Sequence, residues 1–82
     1  MIKILYFGVL RETLGRDAED LAWQGGDSAA LLETLRARGD DWAQALAPGK
    51  VFRVVVDRKV VRGVVDIPDG AEVGILPPVT GG

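Results

Sequence analysis

The sequence predicts an α+β domain in which one mixed sheet is covered on one face by one main helix. Three observations carry that expectation. Residues 2–9 are a run rich in β-branched and aromatic side chains, and residues 28–38 place Leu31, Leu32 and Leu35 on a single helical stripe. Residues 51–65 hold eight valines around Asp57-Arg58-Lys59, as two antiparallel strands joined by a tight turn would.

In chain order, residues 2–9 form a first strand, and polar Arg11-Glu12 opens a connector reaching Gly15. Residues 19–24 predict a second strand that takes in Trp23. Gly25-Gly26 breaks it, and Asp27 or Ser28 offers a side-chain oxygen to an exposed amide at the start of the helix. That helix should run from Ser28 to Arg38, with Glu33, Arg36 and Arg38 off the leucine stripe and Gly39 as its stop. Trp42 and Leu46 stand four apart, the spacing of a short second helical turn that plugs one end of the core and is closed by Pro48-Gly49. After the valine hairpin, Ile67-Pro68-Asp69-Gly70 is a turn signal. A last strand, Glu72 to Leu76, ends at Pro77-Pro78 because proline donates no ladder hydrogen bond. Strand, strand, helix and three strands is the β-grasp order of ubiquitin-like proteins. Residues 1–76 are expected to form that domain and residues 77–82 a flexible tail.

Composition narrows the function. Eighty-two residues support one core but no large enclosed active site, and 48% hydrophobic content with a net charge of −2 fits a soluble chain that folds without a partner. The absence of cysteine and histidine removes disulfides, thiol catalysis, iron–sulfur ligation and the usual zinc sets, so no metal and no bound cofactor are expected. Basic residues are scattered. Arg58, Lys59 and Arg62 form the one local cluster and read as a solvated hairpin end rather than a nucleic-acid or phosphate site. No stretch approaches the roughly 18 consecutive apolar residues of a membrane helix, and the apolar start lacks a basic leader. A cytoplasmic protein is expected.

The candidate chemistry lies in the tail, Pro77-Pro78-Val79-Thr80-Gly81-Gly82. Two closing glycines arise by chance in roughly one chain in two hundred. A terminal carboxylate is a poor electrophile, but its attack on the α-phosphorus of ATP makes an acyl-adenylate with a good leaving group. Sulfur then displaces AMP and leaves a thiocarboxylate. Gly81 and Gly82 lack β-carbons, so this backbone passes through a narrow channel and approaches nucleotide phosphates closely. Pro77-Pro78 favours an extended exit, and six residues span roughly 20 Å at about 3.3 Å each. The chain offers no base, metal set or nucleotide loop of its own, so the catalytic machinery is expected on a partner.

Alternation along the strands adds a second candidate. If Lys3, Arg53 and Glu72 mark the outward face of the sheet, then Leu5, Phe7, Val55, Gly74 and Leu76 share it. A lone helix covers only the other side, which leaves these apolar groups as a docking patch beside the root of the tail.

Over essentially its full length the chain resembles the small subunits of molybdopterin synthase. The resemblance lies in Met1-Ile-Lys-Ile-Leu-Tyr-Phe, Arg11-Glu12 with Gly15, Trp42-Ala43-Gln44-Ala45-Leu46 with Gly49-Lys50, and Asp69-Gly70-Ala71-Glu72-Val73 leading into Pro77-Pro78-Val79-Thr80-Gly81-Gly82. The double-proline approach is unlike that of the thiamine-pathway carrier. The resemblance implies a non-enzymatic sulfur donor activated by a ubiquitin-activating-like adenylyltransferase that consumes ATP, with sulfur from a separate persulfide donor. It also implies a heterotetramer with the synthase large subunit, which holds the catalytic site and sulfurates cyclic pyranopterin monophosphate to the molybdopterin dithiolene. Gly82 maps onto the reactive terminus and Gly81 onto its access position. Phe7, Val60 and Leu76 map onto docking positions, and Pro77, Pro78, Val79 and Thr80 follow as tail contacts. Asp57 stands where the family has an asparagine, a departure that bears on Val60 and leaves the tail untouched. Competing readings are a carrier of the same fold serving thiamine, a tungsten cofactor, tRNA thiolation or protein conjugation, and a ubiquitin-like interaction module with an incidental glycine tail.

Overall fold

The computed structural model describes residues 1–47 and 52–77. Its elements are β1 (Ile2–Tyr6), α1 (Val9–Leu14), β2 (Ala18–Leu21), α2 (Ser28–Arg36), α3 (Asp40–Ala45), β3 (Arg53–Val56), β4 (Lys59–Val61) and β5 (Glu72–Leu76). The five strands form one sheet in the order β2-β1-β5-β3-β4. β1 and β5 run parallel, while β1–β2, β3–β4 and β3–β5 are antiparallel. This is the expected mixed sheet and main helix, an α+β fold of the β-grasp kind.

The core lies between the sheet and α2. Alternation turns Ile2, Ile4 and Tyr6 of β1 and Val73 and Ile75 of β5 inward, where they meet Leu31 and Leu35 of α2 and Leu46 after α3. Each such side chain stabilises the fold by roughly 1.5–3 kcal/mol relative to exposure. Leu32 stays partly buried at the rim. At the start of α2 the cap is Asp27, whose Oδ1 accepts the Ala30 amide at 2.8 Å. Ser28 is buried instead, with its Oγ accepting from the Val65 amide at 3.1 Å.

Several boundaries differ from the sequence expectation. The connector before Gly15 is the short helix α1. Leu10 and Leu14, four apart, both reach the core, Leu10 N–H donates to the Phe7 carbonyl, and Gly15 closes the helix at φ 73°. β2 starts one residue early and stops at Leu21, because Trp23 leaves the sheet and donates Nε1–H to the Ile67 carbonyl at 2.8 Å. α2 ends at Arg36 with Ala37 as its cap, and Gly39 leads into α3 rather than stopping α2. No helix among the described residues is long and apolar enough to cross a membrane. Residues 48–51 and 78–82 carry the Pro48-Gly49 closure, Gly49-Lys50, Val51 and most of the tail, and these lie outside the described residues.

Candidate functional site

β5 is the central strand, paired on one side with β1 and on the other with β3, and Pro77 follows it directly. Its outward residues therefore sit mid-sheet at the root of the tail. Register places Gly74 opposite Leu5 of β1 and Val55 of β3, and Val55 opposite Val60 of β4. One turn of the pleat further on, Leu76 stands opposite Arg53, and the Phe7 amide donates to the Ile75 carbonyl at 3.2 Å. In the other direction Glu72 pairs with Lys3. Lys3 and Arg53 are exposed and Glu72 half-buried, so the outward face carries the residues that alternation assigned to it.

These side chains surround an open groove of about 220 Å³ lined by Leu5, Phe7, Val55, Gly74 and Leu76, with Arg58 and Glu72 at one end. Gly74 is buried under the edge of the Phe7 ring; a β-carbon there would lie 3.2 Å from Phe7 Cε2. Phe7 keeps 42% of its surface exposed although it is aromatic and apolar. Phe7 and Leu76 thus line one groove. Val60, 58% exposed, shares the face but stands one strand further out, on the edge.

Pro77 is half-buried against Gly8, which has φ 59°; a β-carbon on Gly8 would come within 2.8 Å of Pro77 Cγ. The turn between β1 and α1 is therefore shaped to receive the first residue of the tail. Pro78, Val79, Thr80, Gly81 and Gly82 lie outside the described residues.

The β3–β4 turn delivers the charged end of the groove. Asp57 and Arg58 form a two-residue loop with φ values of 49° and 70°, the positive pair of a type I′ turn. The loop is locked to β5, with Asp57 N–H donating to the Glu72 carbonyl at 2.8 Å and Glu72 N–H donating to Asp57 Oδ1 at 3.0 Å. Arg58 thereby joins the groove, whereas the sequence alone predicts it at a solvated hairpin end. Its adjacency to Glu72 depends on the β3–β5 pairing, which composition does not encode. Gly8 was also missed, and a glycine directly after an aromatic strand end was its only signal.

A family model described as the ThiS family matches residues 4–82. A molybdopterin synthase sulfur carrier subunit of Escherichia coli is 40% identical over 82 residues, covering 100% of both chains. Its counterpart by description in Haemophilus influenzae is 35% identical over 82 residues, again covering 100% of both. Among solved structures, a Pyrococcus furiosus protein described as molybdopterin converting factor, subunit 1, superposes with a TM-score of 0.77 at 24% identity, covering 95% of this chain and 97% of that one. That likeness bears on the fold.

Proposed function

The chain belongs to the ThiS family, and we propose that it is the sulfur-carrier subunit of a molybdopterin synthase. The observation that carries the reading is an apolar groove at the root of the very strand that runs into Pro77 and the Gly81-Gly82 terminus. The end-to-end likeness to relatives described as sulfur carrier subunits supports it.

In this reading residues 1–76 are the docking body and residues 77–82 the delivery arm. A ubiquitin-activating-like adenylyltransferase brings the Gly82 carboxylate to ATP. The carboxylate oxygen attacks the α-phosphorus and pyrophosphate leaves. The outer sulfur of a persulfide donor then displaces AMP at the carbonyl carbon, and a thiol cleaves the acyl disulfide so formed, leaving a disulfide on the donor side and the thiocarboxylate on this chain. The resulting thiocarboxylate is carried to the synthase large subunit, which supplies the catalytic groups and positions cyclic pyranopterin monophosphate. Gly81 keeps the approach free of side chains. Phe7, Leu76 and, at the edge, Val60 make the apolar contact that holds the body while Pro77, Pro78, Val79 and Thr80 enter the partner. ATP serves the activating partner, and the carrier holds no cofactor of its own.

A reconstituted assay with activating enzyme, ATP, sulfur donor, large subunit and pterin substrate tests this reading. The full chain is expected to support molybdopterin formation, and a chain lacking Gly82 is expected to fail while folding normally. Product formation by the shortened chain would refute the assignment.

A further inference from the structure

Two residues that are locally unfavourable for the fold meet in the same groove. Gly74 stands in the middle of the central strand, where glycine weakens pairing and contributes no packing. Arg58 holds φ 70° in a two-residue turn where glycine is the unstrained choice. Its neighbour Asp57, at φ 49°, has a local reason to be there, since its Oδ1 receives the Glu72 amide. Arg58 makes no salt bridge among the described residues. Local preference overridden twice at one place points to a function there.

The missing side chain of Gly74 is what opens the hollow. A β-carbon would meet Phe7 Cε2 at 3.2 Å, Leu76 Cδ1 at 3.6 Å and Val55 Cβ at 3.7 Å. The groove of about 220 Å³ exceeds the roughly 150 Å³ of an apolar cavity that takes up benzene, and so has room for one aromatic or branched aliphatic side chain. It falls short of the roughly 300 Å³ at which small-molecule sites begin. Arg58 and Glu72 line one end of the groove with opposite charges, and because Arg58 makes no salt bridge among the described residues its cation is open to an acidic group of a partner. β5 carries this socket and runs directly into Pro77, so the socket lies at the root of the tail, beside the segment that a partner receiving the tail would hold.

We propose that Gly74 and Arg58 are the specificity-determining pair of the docking face: Gly74 opens a socket for one apolar side chain of the synthase large subunit, and Arg58 receives a carboxylate beside it. This rests on the proposed function.

The test is titration of the isolated large subunit with the full chain and with Gly74→Val, Arg58→Gly and Lys59→Ser variants, at low and raised salt, alongside thermal unfolding of each. Gly74→Val should bind at least about tenfold more weakly with Tm held within a few degrees, because the exposed Phe7 ring is free to move aside. Arg58→Gly should bind several-fold more weakly, lose most of the salt dependence and unfold at a higher temperature, a combination that a structural role would not produce. Lys59→Ser removes the same charge from the opposite face and should bind like the parent. Should Gly74→Val fail to fold, Gly74→Ala takes its place with the same expectation in direction. Undiminished binding by the folded Gly74 variant or by Arg58→Gly, with the parent chain binding well, overturns this inference alone. A parent chain that does not bind the large subunit overturns the proposed function and this inference with it.

Discussion

Arg38 grips Glu19 with both terminal guanidinium nitrogens, Nη1 on Oε2 at 2.7 Å and Nη2 on Oε1 at 2.8 Å. The pair ties edge strand β2 to the segment after α2. Tyr6 O–H donates to the same Oε2 at 2.7 Å, and Arg16 approaches Oε1 at 3.4 Å. Trp42 completes the cluster, edge-on to Tyr6 at 5.7 Å with the Arg38 guanidinium 4.7 Å from its ring centre. Burial, together with the hydrogen bond to Glu19, pushes the Tyr6 phenol up.

The first prediction concerns acid stability. Burial alone would raise the Glu19 carboxyl, but the hydrogen bonds from Arg38 and Tyr6 outweigh it and hold the group below the ordinary glutamate range. Because the folded-state value is depressed, the stabilisation is fully present above the unfolded value of about 4.3 and is lost as pH falls through the lower folded value. Glu19→Gln should cost roughly 1–2 kcal/mol at neutral pH, since its partner Arg38 is partly exposed, and should flatten the acid limb of stability. Thermal unfolding of both chains from neutral pH downward checks this, and identical acid limbs would contradict it.

The second prediction separates a cap from the core. Asp27→Ala removes the acceptor of the Ala30 amide and should destabilise by about 1 kcal/mol. Leu35→Ala empties a fully buried site and should destabilise by about 2–5 kcal/mol. Denaturant titration of the two variants measures both, and an Asp27→Ala loss equal to that of Leu35→Ala would mean that the cap does more than start α2.

Much of this was legible from the residues. Alternation marked Leu5, Phe7, Val55, Gly74 and Leu76 as one face, because a strand's period is fixed by its backbone. The leucine stripe located α2, Asp27-Ser28 marked its start without telling which of the two caps it, and Pro77 marked the end of β5. Besides Gly8, three things were not legible. α1 is too short to show helical periodicity, and β-branched Val9 prolongs a strand-like run there. The Glu19–Arg38–Tyr6–Trp42 cluster gathers residues from distant segments, so no local spacing announces it. Arg58 reaches the groove only because β3 pairs with β5, a relation between residues far apart in the chain.

The third prediction concerns docking. Phe7→Asp should leave the domain folded, with Tm within a few degrees of the parent, because the side chain is 42% exposed. It should weaken association with the large subunit by at least about tenfold, since a carboxylate would be desolvated against an apolar partner. Calorimetric titration beside circular dichroism measures both, and loss of folding would place Phe7 in the core instead.

The central claim is that the carboxyl of Gly82 is the group that carries sulfur. Intact-protein mass spectrometry tests it most directly, with the chain incubated with activating enzyme, ATP and sulfur donor and with each omitted in turn. The complete mixture should shift the chain by the mass difference between sulfur and oxygen, localised to the C-terminal peptide, and every omission should abolish the shift. Deleting Gly82 should abolish productive sulfur transfer to the pterin and leave the thermal transition almost unchanged. A complete mixture that leaves the mass of the parent chain unchanged, or places the added sulfur elsewhere in the chain, would contradict the account.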